Sequence, residues 1–302
     1  MSKYTYSLCA VMFGSDETLL KIELNDGFSF VKKSLLPQKH GLNKVFETDA
    51  MGLRRDYDTA KVNDDLDVIC VVKEFQIDLN ASDAHLFFTK TSDECLVSLD
   101  NQIRIIRLFY ECPLRFKIVS FRMRCTGTSH EFVNIFKMNE SFITSPISCF
   151  HCTDDLAVQI NHFLDTFTLP LFDEVLNVAH MHYDLSYHQP QFISITLLIT
   201  ALEALFLNDE QSKKEKLSKR CSVYICNEEK ETLDCYNKLK LEYNKRSLFV
   251  HKGVSKGISD DDILFLRDCV RKSILKMFDD NRDKKERIKA LQRDVFSLNY
   301  WN

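Results

Sequence analysis

A change of hydrophobic period near Asp154 constrains the fold more than any other feature of the chain. From there Leu156, Ile160, Phe163 and Leu164 fall at helical spacing until Pro170 breaks the run. Leu171–Tyr187 continues the pattern through Val175, Leu176, Ala179 and Tyr183. Pro190 opens Gln191–Leu207, a very apolar helix whose sole charge is Glu203. After an Asn208-Asp209-Glu210 loop, Ser212 is placed to cap a helix running to about Cys226, with Glu215 at the capping-box position. Glu228–His251 reads as a long helix ending near Gly253. Ser259-Asp260-Asp261-Asp262 signals the start of a last long helix, Ile263–Phe278, with Leu266, Val270, Ile274 and Met277 on its apolar stripe. Asp279–Asp294 is charged on all sides and reads as a solvated helix or loose tail.

Ahead of Asp154 the runs are short and read as β. Thr5–Phe13 is apolar, and Leu19–Leu24 and Phe28–Val31 flank Asn25-Asp26-Gly27, a hairpin signal. Val68–Val72, Phe75–Leu79 and Leu86–Thr89 are further candidates, and Ile103–Tyr110 and Phe116–Arg124 are the clearest. In the last of these Phe116, Ile118, Ser120, Arg122 and Arg124 share one face, with Val119, Phe121 and Met123 on the other. The expectation is an α+β multidomain chain. A β-rich domain of sandwich or barrel type occupies residues 1–153, an all-α helical bundle 154–280, and a charged tail 281–302.

The 302 residues suffice for two domains, and 45% hydrophobic content supports real cores. No apolar run reaches the roughly 18 residues of a membrane span. The N-terminus, Met-Ser-Lys-Tyr-Thr-Tyr, lacks the apolar core and cleavage site of a signal peptide. The 11 cysteines are odd in number and irregularly spaced, which suits reduced thiols in the cytoplasm. Net charge is −4, unevenly spread: residues 1–189 hold 18 Lys+Arg against 26 Asp+Glu, residues 190–302 hold 22 against 18. The basic half permits a polyanion ligand without demanding one.

That half contains Leu241–Gly253, where Arg246, Ser247 and His251 are set among Leu248, Phe249 and Val250. Arginine offers a permanent charge and a planar donor fork for phosphate oxygens, and histidine exchanges protons near neutrality. The two together can handle a phosphodiester without a metal. On an ideal helix, five positions put Arg246 and His251 about 140° apart, while Ser247 and His251 share a face. Either the helix unwinds before His251, or a second copy of the motif completes the site across a two-fold axis. The alternative is structural: an arginine capping carbonyls, and a histidine favoured by the helix dipole.

Arg-x4-His at a helix end resembles the HEPN ribonucleases. The fuller string of Tyr243, Arg246-Ser247, Val250-His251 and Gly253, with Leu202-Glu203-Ala204-Leu205 upstream, is similar to the ApeA-like HEPN branch. Lys252 departs from the many relatives with glycine directly after the histidine. The resemblance covers about the last half of the chain. It implies an all-α homodimeric domain with Arg246 and His251 as the catalytic pair, acting on RNA in prokaryotic defence or growth arrest. Ser247, Glu203 and Tyr243 would support the pair, no cofactor or metal is expected, and the N-terminal domain would sense a trigger or select RNA. A catalytically silent HEPN-fold scaffold stays open, as does a protein whose β domain carries the activity.

Glu203 on its apolar helix needs a cation, and Lys219, Arg220 and Arg246 are candidates. It either orients Arg246 or a water, or forms a structural pair with Arg220. Cys149-Phe-His-Cys152 has metal-like spacing with His151 as a further ligand type, but no second Cys-x2-Cys pair closes a zinc site. His180, His182 and His188 read as solvent-facing. There is no P-loop, dinucleotide fingerprint or Gly-x-Ser-x-Gly elbow.

Overall fold

A computed structural model describes residues 1–34, 67–137, 149–171, 173–208, 211–280 and 282–297. Asp209 and Glu210 of the expected loop, and residues 298–302 of the expected tail, lie outside these. The chain divides into two compact units that meet at Thr168 and Leu169.

The first unit carries a five-stranded antiparallel sheet in the order β2-β3-β1-β4-β5. Its strands are β1 (Ser2–Phe13), β2 (Ser29–Ser34), β3 (Asp67–Leu79), β4 (Arg115–Cys125) and β5 (Glu131–Lys137). Alternation in β1 buries Tyr4, Tyr6, Leu8 and Ala10 on one face. That face meets α1 (Ala81–Phe109): Tyr6 lies 6.1 Å from the Phe88 ring and donates to Ser92 Oγ at 3.3 Å. On the other face Val11, Phe13, Val68, Cys70 and Ile118 cluster.

Several β expectations are corrected here. Leu86–Thr89 and Ile103–Tyr110 are not strands, because Ala84, Phe88, Ser92, Cys95, Leu99, Ile103 and Ile106 recur every three to four residues as the buried stripe of α1. The 29 residues of α1 hold no Gly or Pro to interrupt it. With those two segments helical, the described residues form one sheet covered by a helix, where a sandwich or barrel was expected. Leu19–Leu24 is no strand either: Asp16 accepts from the Thr18 amide at 2.8 Å and caps a 3-10 helix, Glu17–Lys21. The Asn25-Asp26-Gly27 turn exists, with positive φ at Asp26 and Gly27, but it leads from coil into β2. Val68–Val72 and Phe75–Leu79 are parts of one strand, and β5 went unanticipated.

Helix α2 (Asp154–Thr166) belongs to the first unit, so the boundary expected after residue 153 falls after Thr168. Its anchors are the Phe163 ring, 5.2 Å from Phe109, and the Leu164 carbonyl, which accepts from Asn25 at 2.6 Å. At the start of this unit Gly14 has φ +77°, and a Cβ there would sit 2.7 Å from the Pro113 carbonyl oxygen. Gly14→Ala is therefore expected to lower stability by at least about 2 kcal/mol, read from the midpoint of urea unfolding. An unchanged midpoint would mean that the Pro113 turn yields freely.

The second unit holds α3 (Glu174–Leu185), α4 (Gln191–Phe206), α5 (Lys213–Ile225), α6 (Glu229–Lys252), α7 (Asp260–Phe278) and α8 (Lys284–Ser297). The apolar α4 is its centre, packing against α3, α5, α6, α7 and α8. It buries Ile195, Leu198, Ile199, Leu202, Leu205 and Phe206. The helix start expected at Ser259–Asp262 forms, and Ser259 and Asp262 make a capping box there. The one expected at Ser212 does not: Ser212 has φ +58° and its side chain caps nothing. Glu215 instead accepts from Tyr236 at 2.5 Å and pairs with Lys219 and Lys240, each at 3.1 Å, which holds its carboxyl at about 2.

The segment expected as a solvated tail is also different. Helix α8 buries Ile288, Ala290 and Leu291 and packs on α5 and α4. Arg287, 2% exposed, turns inward to Asp280 at 3.2 Å and the Arg282 carbonyl at 2.9 Å. A narrow apolar stripe and one inward arginine suffice to dock a helix that is charged elsewhere. Among the described residues no helix is long and apolar enough to cross a membrane.

Candidate active site

The helix that carries the motif is continuous. Helix α6 runs through His251 to Lys252 and closes on Gly253, at φ +66°, whose N–H donates to the Phe249 carbonyl at 2.8 Å. Val254 N–H reaches the Leu248 carbonyl at 3.4 Å, completing the left-handed cap for which glycine is suited. Unwinding before His251 is thus excluded. Arg246 and His251 of one chain leave the helix about 140° apart.

Arg246 faces the bundle. One of its terminal nitrogens lies 3.6 Å from Glu203 Oε2, and its guanidinium carbon is 5.8 Å from the centre of the Tyr243 ring. The Tyr243 hydroxyl donates to Glu203 Oε1 at 2.8 Å. Glu203 therefore takes Arg246, not Lys219 or Arg220, as its cation; Lys219 pairs with Glu215, and Arg220 donates to the Phe206 carbonyl at 2.8 Å. Burial, together with the Glu203 carboxylate, pushes the Tyr243 phenol up to about 12, so it stays a donor at neutral pH. Arg246 Nε is buried without a hydrogen-bond partner among the described residues. The guanidinium thus keeps donor capacity beyond its one carboxylate.

His251 is exposed on the last turn, and Ser247 lies one turn before it on the same face. Leu248 and Val250 are exposed at 43% and 47%. Phe249, between them, packs on Phe192 of α4 with ring centres 5.1 Å apart. Glu203→Gln removes the anion facing Arg246 and is expected to cost about 1–2 kcal/mol, whereas Glu229→Gln on the exposed first turn should stay within about 0.5 kcal/mol. Thermal unfolding of both variants checks this; equal melting temperatures would deny Glu203 its role.

Sequence reasoning missed a second charged group on α6. Glu242, fully buried, accepts from Lys245 Nζ at 3.1 Å, and Lys245 also pairs with Asp262 at 2.7 Å. Burial, above all, pushes the Glu242 carboxyl up to about 7. Glu242 Oε2 has no partner among the described residues. The acidic capping signal at Asp262 was legible, but nothing in the sequence marks Glu242 as interior.

The remaining candidates are settled by their neighbours. His151, 60% exposed, pairs through Nδ1 with Asp16 at 2.7 Å, and Cys152 Sγ donates to the Thr153 carbonyl at 3.4 Å. Among the described residues no His, Cys, Asp and Glu are grouped to hold a metal ion. His180 is buried, and His182 is half-buried with its pKa lowered by burial, so these histidines are not the solvent-facing set expected.

Comparison with protein-family models, curated proteins and solved structures finds no match to this chain.

Proposed function

We propose that this chain is an endoribonuclease of HEPN type, working as a homodimer without a metal. The observation that carries the reading is Arg246 held by Glu203 and Tyr243 on the same unbroken helix that presents His251 to solvent. In the proposed reaction the ribose 2′-hydroxyl attacks its own phosphate. His251 takes the proton of that hydroxyl or supplies one to the departing 5′-oxygen. Arg246 stabilises the charge gathering on the phosphorus centre. Because the two leave one helix on different sides, the working pair joins Arg246 of one chain to His251 of another. The exposed Leu248 and Val250 beside the motif supply apolar surface for that contact. Ser247 shares the face of His251 and orients it. The first unit selects RNA or senses a trigger, in the cytoplasm of a cell under phage attack or in growth arrest, as the family resemblance implies.

The test is incubation of the purified chain with a defined RNA in EDTA. The expected products carry a 2′,3′-cyclic phosphate and a 5′-hydroxyl, and RNA with a 2′-O-methyl at the cut site resists. A rate that requires Mg²⁺, or products ending in 5′-phosphate, would overturn the mechanism. A dimer that binds RNA without cutting it would instead identify a silent scaffold.

A further inference from the structure

A cavity of about 390 Å³ in the helical unit has neither Arg246 nor His251 in its lining, and cysteines are among the residues that line it. Cys226 at the end of α5, Cys235 in α6 and Cys269 in α7 all line it. The thiols are near enough to perturb one another: Cys226 and Cys235 shift each other's acidity, as do Cys235 and Cys269, and Cys269 and Cys221. Cys226 and Cys235 are each 8% exposed, whereas Cys269 and Cys221 are sealed at 1% and 0%. Chemistry entering from solvent therefore reaches the first pair. The rim carries both signs, Glu231, Asp234 and Asp268 beside Lys230, Lys238 and Lys272. A cavity of this size and mixed charge suits a small zwitterionic molecule.

We propose that Cys226 and Cys235 are a thiol-exchange site, at which a small charged disulfide is reduced while the two cysteines close an intrachain disulfide tying the end of α5 to the start of α6. The thiolate of Cys235, its proton given to solvent, attacks one sulfur of the small disulfide. A mixed disulfide forms, and one small thiolate leaves and takes up a proton. Cys226, likewise deprotonated, then attacks the Cys235 sulfur and expels the second small thiol. The protein pair loses two electrons, which the small disulfide gains.

Cys235 is the better nucleophile of the two, because the contact with Cys226 favours its thiolate, while that same contact pushes Cys226 up. For each of the three thiols the neighbouring thiols act first and burial after them, and with Glu231 and Asp268 nearby all three sit above the ordinary range despite the opposing pull of Lys272 on Cys226. Exchange is therefore slow at neutral pH and faster in mild alkali. The same lack of thiolate stabilisation leaves the disulfide, once closed, hard to reduce. The site acts as a slow staple.

The experiment uses the reduced full-length chain with oxidised glutathione at pH 8, followed by non-reducing tryptic mass spectrometry. Peptides 221–230 and 231–238 are expected to appear linked through Cys226 and Cys235, with two glutathione molecules released per chain, and to separate on adding dithiothreitol. Cys226→Ser should stop at a mixed disulfide on Cys235, with one glutathione released. Modification confined to the half-buried Cys9 and Cys149, or a link from 231–238 to 268–271, would overturn the assignment. The readout is independent of RNA cleavage, so its failure leaves the ribonuclease reading untouched.

Discussion

If the proposed ribonuclease reading holds, His251→Ala is expected to lower the cleavage rate about 10²–10⁴-fold, the range for removal of a proton carrier, and to leave the unfolding midpoint where it was. The second half of that result matters as much as the first. His251 is exposed on the last turn of α6, and surface changes of that kind move stability by less than about 0.5 kcal/mol. Activity lost at constant stability is thus chemical in origin. Arg246→Lys is a harsher change than it looks, because the guanidinium that meets Glu203 would in the proposed reaction also meet the phosphate, and an ammonium replaces a planar donor set with a point charge. The decisive arm is a mixed dimer of one Arg246→Ala chain and one His251→Ala chain. With an intact pair drawn from two chains, the mixed dimer keeps one whole site and one empty one, so about half the wild-type rate survives. With the pair drawn from one chain, both sites are broken and the rate falls to that of the single variants. The unbroken helix through Lys252 favours the first outcome. Cleavage that persists in both single variants would move the activity elsewhere in the molecule.

The helical unit was legible because its signals are local. Apolar spacing, the Ser259–Asp262 cap and Gly253 each depend on residues within a few positions of one another, and each forms where the sequence places it. The sheet unit was harder. Segments such as Ile103–Tyr110 are rich in β-branched residues, yet the much longer stripe that runs from Ala84 to Ile106 wins. Asp16, which turns Glu17–Lys21 into a 3-10 helix, competes with the same local β preference. At the site, Arg246, Glu203 and Tyr243 come together as the motif suggests. Partner choice for Glu203 was not legible, since Lys219 and Arg220 are nearer in sequence than Arg246 and only packing directs them to Glu215 and Phe206. The same limit hid Glu242, an interior carboxylate on a helix whose other glutamates lie outside or at its edge, and hid the inward turn of Arg287.

Glu242→Gln should change how stability responds to pH more than any surface substitution. An unfolded chain ionises a glutamate near 4.5, whereas burial pushes Glu242 up to about 7 in the folded protein. Between those values the folded state holds a proton that the unfolded state has released. Stability from this group is complete below about 4.5, drains away as pH rises through about 7, and is constant above that. A gap of that width amounts to roughly 3 kcal/mol. The charged neighbours do not blur the window: the pair raises Lys245 above the ordinary lysine range and holds Asp262 below the ordinary aspartate range. His182, lowered by burial, works in the opposite sense. The quantity to follow is therefore the difference between wild type and Glu242→Gln, in urea unfolding at pH 5 and at pH 8. The glutamine variant gains on the wild type by about 2.5 kcal/mol between the two, because it has no proton to lose. Parallel curves would mean that Glu242 ionises as it does in water. A shift confined to this variant would establish that α6, one turn before Arg246, carries a buried carboxyl that neutral pH leaves half charged.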